Sequence, residues 1–464
     1  MGSAAERNTA INIWTARILP IILSGVIGYA TYVTIYLLCV NYLFRRHHDN
    51  GFAIPVLVVY FVLFVPMMTS YARLYYTTVV DPPYISLGPA AIRERAYMKE
   101  KAKIRSEEDG VGAGEYDLTE GKDDPDSPGL ELFYTKDVFV SDIDGKPKWC
   151  SHCANWKPDR AHHDSSSGRC IAKMDHFCPW VGGPVGETNF KFFIQFNFWT
   201  ASYCLTLLIV MGVAIRRQTG LEGESINPHF IAILALASAF FTFTSSMTGN
   251  AVVMALKNLT TIEHLVAKSA VHVLAIRKTS YYENRNKRLS STHGPLQEIT
   301  YPLAHHTPNR PIFHNARATI NIEPDTERHV GSLSNPPSDA ATGYNQNSGA
   351  VHNGIRTPSP VQHNLVQQRP TTQYSTDRTD NSSSRDLQAS RIFVLVKTNP
   401  GDNPWALSSP LLNFKTVMGF NIVQWFLPTA SPCSVHENSE SQFTLGPAVD
   451  SLRHEYGFQD EVSY

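Results

Sequence analysis

The sequence lacks an excess of charge of either sign. Its 464 residues include 40 lysines and arginines against 41 acidic residues, which gives a formal net charge of −1. Bulk charge therefore gives no indication of a nucleic-acid partner, and none is expected. Cysteine is also scarce, with seven residues in all. Four of them lie between Cys150 and Cys178, which is too local for the disulfide framework of a secreted protein and is typical of metal binding or of thiol chemistry.

Charged residues are absent from four long stretches of the chain. These stretches are residues 18–44, 50–72, 192–215 and 225–256. At about 1.5 Å per residue, helices of these lengths can cross the roughly 30 Å hydrocarbon core of a bilayer. The alternative of buried helices in a soluble protein fits these lengths poorly, and the first stretch is too long for a signal peptide. The sequence therefore predicts four transmembrane helices.

An even number of spans places both termini and the long segment 73–191 on the same side of the membrane. The arginine and lysine residues that flank the spans do not distinguish the two sides clearly. Free thiols persist in the reducing cytosol, so we expect both termini and the cysteine-rich segment to be cytosolic. Nothing in the sequence indicates which organelle membrane holds the protein.

Composition divides the chain between and beyond the spans. Residues 279–390 are rich in Asn, Ser, Thr, Pro, Arg and His and have few apolar residues, so we predict a disordered insertion there. The other expected segments are a cytosolic N-terminus (1–17), the first two spans (18–76), a cytosolic linker (77–147), a cysteine-rich domain (148–191), the last two spans (192–256), a short following segment (257–278), an ordered C-terminal segment (391–428) and a tail (429–464).

The cysteine-rich segment contains a candidate metal site. Cys150 and Cys153 form a C-x-x-C pair, and two thiolates at this spacing can share one tetrahedral zinc ion. His163 and Cys170 follow at positions suited to complete a Cys₃His site. The alternatives for the pair are a redox dithiol or two unpaired buried thiols.

Asp175, His176 and Cys178 form a second pattern, with a different chemical use. A thiol is a weak nucleophile until it loses its proton. A nearby imidazole can accept that proton, and a carboxylate can orient the imidazole. The thiolate could then attack a thioester and hold the acyl group. The alternative is that His176 and Cys178 are metal ligands, but the position just before a predicted span favours chemistry at a membrane surface.

These motifs, in this order, resemble those of the DHHC-type protein S-acyltransferases, or palmitoyltransferases. The pattern is most similar to a fungal branch of the family in which D-H-F-C replaces D-H-H-C. Besides the four-span layout, the resemblance is carried by residues 157–163, residues 174–181, Gly186, Asn189, the T-T-x-E motif at 260–263 and the Asn-Pro-Trp motif at 403–405.

The resemblance implies an all-α polytopic membrane protein. Its four transmembrane helices would carry a small zinc-binding, cysteine-rich cytosolic domain between the second and the third. It also implies an enzyme that moves a palmitoyl group from palmitoyl-CoA to protein cysteines near the membrane. Cys178 would be the nucleophile, His176 the general base and Asp175 its orienting partner. Thr261 would help to hold that pair.

The resemblance also implies a binding site for acyl-CoA. The acyl tail would lie between the spans, against Phe193, Phe196 and Tyr203, with Trp180 near the mouth. The coenzyme A head group would meet Lys157, Arg160 and His162. The alternative for the aromatic residues is ordinary packing between spans.

One departure from the family pattern affects the metal prediction. The family's cysteine-rich segment usually holds two zinc ions, and the first set of ligands matches Cys150, Cys153, His163 and Cys170. The second set falls on Asp164, Ser167, Phe177 and Pro184, none of which is a usual thiolate or imidazole ligand. We therefore predict one structural zinc ion.

The missing second site leaves two alternatives to an active enzyme. The first is a catalytically silent membrane scaffold or partner subunit of the same family. The second is a membrane-anchored zinc module that binds proteins. Retention of Asp175, His176 and Cys178 favours the enzyme, because neither alternative requires these three residues.

Overall fold

A computed structural model describes residues 4–109, 133–134, 136–220, 225–278, 296–301, 391–430, 432 and 443–458. The predicted disordered insertion, residues 279–390, lies outside the described residues except for 296–301.

Four helices in the described residues are long and apolar enough to cross a membrane, as the sequence predicts. Helix α1 (Ala4–Thr31) continues with π-helical geometry over Tyr32–Arg46, and α2 (Asn50–Tyr75) continues in the same way over Tyr76–Val80. After α3 (Pro89–Asp109), the remaining two spans are α4 (Phe190–Thr219) and α5 (Pro228–Lys257).

The four spans bury one side and expose the other. Their shared core includes Tyr60 and Met211, which are almost inaccessible. Apolar residues such as Ile21 and Val62 are instead exposed to 72% and 62%. Exposed apolar side chains in this number are unusual for a soluble protein, and lipid is the solvent that suits them. The chain is therefore a membrane protein.

The first helix begins earlier than the sequence indicates. Residues 4–17, predicted as a separate N-terminal segment, form its opening turns. These turns contact the cysteine-rich region, since the Asn12 amide donates a hydrogen bond of 3.2 Å to the Ser166 hydroxyl. The contact explains why the helix extends beyond its apolar part.

A four-stranded antiparallel sheet corrects the expectation of an all-α protein. Its strands are β1 (Val138–Ser141), β8 (Val273–Arg277), β9 (Glu298–Tyr301) and β10 (Arg391–Lys397), and their order in the sheet is β1-β8-β10-β9. Between β1 and β8 in sequence lie six short strands, β2 (Trp149–Cys150), β3 (Asn155–Trp156), β4 (His162–Asp164), β5 (Arg169–Ile171), β6 (His176–Cys178) and β7 (Gly183–Val185).

The sheet joins segments that are far apart in sequence. Its strands come from the predicted linker, the segment after the last span, the edge of the predicted insertion and the C-terminal segment. The remaining helices are α6 (Thr261–Val266), α7 (Pro410–Met418), α8 (Val423–Phe426) and α9 (Pro447–Glu455). Helix α9 packs its Val449 and Leu452 against the sheet. Part of the predicted tail is therefore a component of the fold.

The C-terminal segment is anchored to the third span. The Gln195 amide donates hydrogen bonds of 2.9 to 3.0 Å to the carbonyl oxygens of Gln424, Trp425 and Leu427. The Trp199 indole donates to the carbonyl oxygen of Phe426 at 3.2 Å. These bonds place α8 beside α4, close to the membrane end of the cysteine-rich region.

Candidate active site and metal centre

The described residues contain one cluster of side chains that could hold a metal ion, and it is formed by Cys150, Cys153, His163 and Cys170. The His163 Nδ1 atom lies 3.5 Å from the sulfurs of Cys150 and Cys153 and 3.9 Å from that of Cys170. With Zn–S bonds of about 2.3 Å and Zn–N bonds of about 2.0 Å, the edges of a tetrahedral site measure about 3.5 Å between sulfur and nitrogen and about 3.8 Å between sulfurs. The four residues therefore fit a zinc ion in spacing and in ligand type.

Two hairpins bring these ligands together. Strands β2 and β3 turn the C-x-x-C pair back on itself, so that both thiols lie on one side of the loop. Strands β4 and β5 place His163 directly opposite Cys170. All three cysteines are buried. The sequence prediction of a Cys₃His cluster agrees with this geometry.

The four positions of the second metal set hold residues with other roles. Phe177 and Pro184 are cross-strand partners in the β6–β7 hairpin. The Asp164 carboxylate accepts a 2.7 Å hydrogen bond from the backbone nitrogen of Ser167. One pair is apolar and the other closes a turn, so neither offers the thiolate and imidazole ligands that zinc prefers.

Asp175 and His176 form the hydrogen-bonded pair that the sequence predicts. The Asp175 Oδ2 atom lies 2.6 Å from His176 Nδ1. The Cys178 thiol lies two residues further along strand β6. Burial by itself lowers the pKa of His176, but the interactions of the ring with Asp175 and Cys178 outweigh burial and raise that pKa to about 9. The ring is therefore a stronger base than a free histidine.

Thr261 fixes the carboxylate of Asp175. Its backbone nitrogen donates to Asp175 Oδ1 at 2.8 Å, and its hydroxyl donates to Oδ2 at 2.9 Å. Thr261 is the first residue of α6, whose preceding residue Thr260 forms a capping box with Glu263. The T-T-x-E motif thus builds a helix start at which the Thr261 N–H donates to the buried carboxylate of Asp175.

Cys178 lies at the head of an apolar cavity between the spans. The thiol is buried, and the cavity beside it has a volume of about 280 Å³. Its walls include Trp180, Phe193, Phe196 and Phe240. The side chain of His176 borders the same space. Three of the four residues that the resemblance assigned to the acyl tail are therefore next to Cys178.

A second apolar cavity continues deeper between the spans. It shares Leu23, Phe196, Thr200 and Phe240 with the first, and Tyr203 lines it. The Tyr203 hydroxyl donates a 3.3 Å hydrogen bond to the Tyr60 hydroxyl. This bond holds the fourth predicted residue across the space between α2 and α4.

Arg160 is buried, although the resemblance assigned it to the coenzyme A head group. Its guanidinium is inaccessible and forms two hydrogen bonds with the Glu263 carboxylate, at 2.6 and 2.7 Å. Two more bonds of 2.9 Å reach the side chain and the carbonyl oxygen of Asn258, and the Trp405 ring lies 4.7 Å away. With every face of the guanidinium engaged, the structure does not support contact with coenzyme A.

The Arg160 cluster connects the cysteine-rich region to the end of the last span. Burial raises the pKa of Glu263, but the charge and hydrogen bonds of Arg160 hold it below its ordinary value. Asn258 ends α5 in a left-handed conformation, with φ of 49°. The sequence analysis did not single out Asn258, although asparagine just after a long helix is a recognised signal for this conformation.

Lys157 and His162 lie near the Arg160 cluster. Burial lowers the pKa of His162, and the nearby charges of Lys157, Lys148 and Arg160 lower it further, against the opposing effect of Glu263. Lys148, which the sequence analysis did not name, thus adds to a local group of positive charges. Such a group suits a phosphate-bearing ligand.

The β6–β7 hairpin, which carries His176 and Cys178, is fixed to the spans by Asn189. Its side-chain oxygen accepts from the Gly186 nitrogen at 2.8 Å, and its amide donates to Pro184, Thr77 and Thr78 at 3.1 to 3.2 Å. Gly186 is required here, since a Cβ would lie 2.7 Å from the carbonyl oxygen of Ala172. The hairpin is thereby attached to the end of α2 and the start of α4.

Comparison with known proteins gives the family. A family model described as DHHC palmitoyltransferase matches residues 143–268. Palmitoyltransferase pfa5 of Aspergillus fumigatus is 35% identical over 97% of this chain and 91% of its own length. Palmitoyltransferase pfa5 of Emericella nidulans is 35% identical over 99% of this chain and 89% of its own length. The chain belongs to the DHHC palmitoyltransferase family.

Family membership confirms the resemblance found in the sequence and the prediction of an acyltransferase. A more distant relative, palmitoyltransferase PFA5 of Saccharomyces cerevisiae, is 26% identical over 59% of this chain and 69% of its own length. All three relatives are fungal and named as enzymes, and none of these names favours the silent scaffold.

Proposed function

We propose that this protein transfers a palmitoyl group from palmitoyl-CoA to cysteine thiols of other proteins through an acyl-Cys178 intermediate. One observation carries the proposal. Hydrogen bonds run from Thr261 through Asp175 to His176, and His176 and Cys178 line the same apolar cavity. The arrangement combines an activated thiol with space for an acyl chain.

In the first step, Cys178 becomes acylated. His176 accepts the proton of the Cys178 thiol, and the thiolate attacks the carbonyl carbon of the thioester. A new C–S bond forms, the bond to coenzyme A breaks, and the leaving thiolate takes the proton back from His176. The raised pKa of His176 favours the imidazolium that forms when the ring takes the thiol proton, and Asp175 stabilises that charge.

In the second step, the acyl group leaves Cys178. A substrate cysteine gives its proton to His176 and attacks the acyl carbonyl carbon. The bond to Cys178 breaks, and Cys178 recovers the proton. Asp175 keeps the imidazole in the orientation that both steps need, and Thr261 keeps the Asp175 carboxylate in place through two hydrogen bonds.

The acyl-CoA site extends from the cavity to the positive charges beside it. The palmitoyl tail would lie between Trp180, Phe193 and Phe196 and would end at Tyr203. Lys157 and His162 would meet the phosphates of the head group. Arg160 acts as a positioning residue instead, because its ion pair with Glu263 joins the cysteine-rich region to the T-T-x-E motif.

One zinc ion would be held by Cys150, Cys153, His163 and Cys170. A closed four-ligand set of this kind is structural, since it leaves no open position for substrate. When bound, the ion would fix the β2–β3 and β4–β5 hairpins relative to each other. It would take no part in proton transfer at Cys178.

The proposed orientation places both termini and the cysteine-rich region in the cytosol. Only β7 and short connections lie between the catalytic strand β6 and the membrane helix α4. Cys178 therefore lies near the membrane surface. Protein substrates would therefore present cysteines close to the bilayer. Free cysteines in the described residues are consistent with a reducing compartment.

Acyl-enzyme formation tests this proposal directly. Protein purified in detergent is mixed with palmitoyl-CoA, and intact mass is measured before and after hydroxylamine. We expect one palmitoyl adduct that hydroxylamine removes and that Cys178→Ser lacks. Cys39→Ala is the control, because Cys39 is buried in a span and should not affect the adduct. Persistence of the adduct in Cys178→Ser, or its absence from folded, metal-loaded protein, would contradict the proposal.

A further inference from the structure

Three polar side chains line the otherwise apolar cavity beside Cys178. Asn197 and Thr200 belong to α4, and Thr244 belongs to α5. All three are buried, with exposures of 4%, 8% and 4%. A polar group that is covered by a plain hydrocarbon chain loses water and gains no partner, which is unfavourable. Each of the three therefore needs a hydrogen-bond partner when the cavity is filled.

The two threonines find that partner in their own helices. The Thr200 hydroxyl donates to the carbonyl oxygen of Phe196, and the Thr244 hydroxyl donates to that of Phe240, both at 2.7 Å. Bonds of this kind are the usual way in which a helix accommodates a threonine. The threonines by themselves therefore say little about what the cavity binds.

Asn197 differs from them because part of its amide is free. The amide nitrogen donates to the carbonyl oxygen of Phe193 at 2.8 Å. Since a carbonyl oxygen only accepts, this bond fixes which end of the amide is nitrogen, and it leaves the amide oxygen and one N–H over. No described residue donates to that oxygen, which keeps accessible surface, unlike the enclosed and unpaired hydroxyl of Ser70. Asn197 thus offers an unused acceptor.

The side of α4 that carries Asn197 faces the cavity. Phe193, Phe196 and Thr200 lie three or four residues from it, and all of them line the same space. This spacing places residues on one face of a helix. Phe198, the next residue along the chain, is instead 40% exposed on the outer surface of the spans. The free amide oxygen therefore opens into the cavity.

The position of Asn197 along α4 gives its depth in the cavity. The Phe193 ring packs edge-on against the His176 ring, with 5.1 Å between centroids, so Phe193 marks the level of the reacting thioester. Asn197 lies about one helical turn, or about 6 Å, further along the helix. An acyl chain whose carbonyl carbon is bonded to Cys178 would therefore pass Asn197 with its first few carbon atoms.

A hydroxyl group on that part of the chain would match the free amide. Water can hydrate the amide oxygen before a chain binds, but a hydrocarbon displaces the water without replacing its bond. A hydroxyl would replace the bond, because it donates to the amide oxygen and can accept from the remaining N–H. A site that bonds a hydroxyl discriminates against the analogue without one, because its own polar group is then left unpaired.

We propose that this enzyme also takes acyl-CoA donors that carry a hydroxyl group near the carbonyl end, such as 3-hydroxyacyl-CoA, and that Asn197 determines this specificity by accepting a hydrogen bond from the hydroxyl. The transfer itself is unchanged. The bond between the Cys178 sulfur and the acyl carbon forms, the bond to coenzyme A breaks, and the hydroxyl keeps its proton. This inference rests on the proposed function.

The test is a competition between two donors. Purified protein in detergent receives palmitoyl-CoA and 3-hydroxypalmitoyl-CoA in equal amounts for a single turnover, with the two enantiomers of the hydroxylated donor in separate experiments. Intact mass distinguishes the two acyl-enzymes by one oxygen atom. We expect one enantiomer to acylate Cys178 at least as fast as palmitoyl-CoA and the other to be slower, because a fixed amide meets the hydroxyl from one side only.

Asn197→Leu removes the amide and keeps a side chain of similar size. We expect the ratio of hydroxylated to plain adduct to shift about tenfold toward palmitoyl, as when one hydrogen bond is lost. Thr206→Val is the matched control, because Thr206 is a polar residue of the same helix that donates to the Ser202 carbonyl oxygen at 3.1 Å and lines neither cavity. The control should keep the ratio of the unaltered protein.

The outcomes are distinct. An unchanged ratio in Asn197→Leu would overturn the proposal, and so would failure of both enantiomers to acylate Cys178. Equal slowing of both donors in Asn197→Leu would also overturn it, because the amide would then act on the thioester or on the helix and not on the hydroxyl. If the unaltered protein formed no acyl-enzyme even from palmitoyl-CoA, the proposed function would fail as well.

Discussion

Two regions of the cysteine-rich segment hold their loops in different ways. In the hairpins formed by β2–β3 and β4–β5, three cysteines and His163 converge on one point with the spacing of a zinc site. In the catalytic hairpin formed by β6 and β7, Phe177 faces Pro184 at the corresponding place. The first region has ligands that could hold a metal ion, and the second is held by packing and hydrogen bonds.

The difference shows that hydrogen bonds and packing against the spans can fix a hairpin in place of a structural metal ion. The hairpins that carry the Cys₃His cluster are short, and an ion bound there would hold their ligands together. The catalytic hairpin is held by the four bonds of Asn189 and by the bond from the Asp175 nitrogen to the Val185 carbonyl oxygen. With these attachments to the spans, the hairpin keeps its shape without a second cluster of ligands.

The largest effect is expected from removing one metal ligand. Cys153→Ala should abolish metal binding, unfold the β2–β3 and β4–β5 hairpins and eliminate acyl-enzyme formation, because structural zinc commonly supplies about 10 kcal/mol or more to such folds. Metal content, limited proteolysis and the acyl adduct would be measured together. Ser167→Ala, at a position of the second family set, is the control and should keep one zinc ion. If Cys153→Ala kept its zinc and its activity, the first region would not depend on a metal ion, and the two regions would not differ in this way.

Removal of Arg160 should cause the next largest effect. Arg160→Met would leave the Glu263 carboxylate buried without its cation, which typically costs about 3 to 5 kcal/mol. We expect a lower midpoint of thermal unfolding and slower acylation at saturating palmitoyl-CoA. Lys157→Met should instead raise the half-saturating concentration and leave the midpoint unchanged. If Arg160→Met changed only that concentration, Arg160 would be a ligand of coenzyme A after all.

The two regions should also respond to opposite extremes of pH. The raised pKa of His176, about 9 in the folded protein, means that its ion pair with Asp175 is fully stabilising below the ordinary histidine pKa of about 6.5 and is lost as the pH rises through about 9. The contribution is at most about 3 kcal/mol. The metal cluster should fail at low pH, where protons compete for its thiolates.

The midpoint of thermal unfolding would be measured for the unaltered protein and for Asp175→Asn from below about pH 6.5 to above about pH 9. The difference between them should be largest below about pH 6.5 and should vanish above about pH 9. Metal content, followed in parallel, should fall only toward acid pH. A constant difference between the two proteins at all pH values would show that the ion pair does not stabilise the hairpin.

A smaller effect is expected at Phe177. Phe177→Ala removes the apolar partner of Pro184 and should slow acylation by about tenfold, because slight misplacement of a reacting group is enough to lower a rate. The zinc content should remain one ion per chain. Phe177→His is the matched comparison and should not add a second ion, since its neighbours provide no thiolates. Two ions in that variant would mean that the second site persists in another form.

Much of the site could be predicted from the sequence because its chemistry is local. Cys150 and Cys153 are separated by two residues, and Asp175, His176 and Cys178 lie within four, so spacing alone brings them into reach. Long uncharged stretches likewise predict spans without further information, since the bilayer fixes their length. The family resemblance rested on the same motifs and agrees with the comparisons.

The sequence was less informative wherever partners are distant. The sheet joins β1 to β8 and β10, which are more than 100 residues apart, and no local pattern pairs such strands. The all-α expectation was incomplete for that reason.

Thus the sequence by itself determined the four spans, the Cys₃His cluster and the Asp175, His176 and Cys178 series. Only the tertiary structure decided that Arg160 pairs with Glu263 and that Asn189 attaches the β6–β7 hairpin to the end of α2. The physical reason is that burial and pairing depend on which segments meet in space, and a residue's type or its neighbours in sequence do not specify that meeting.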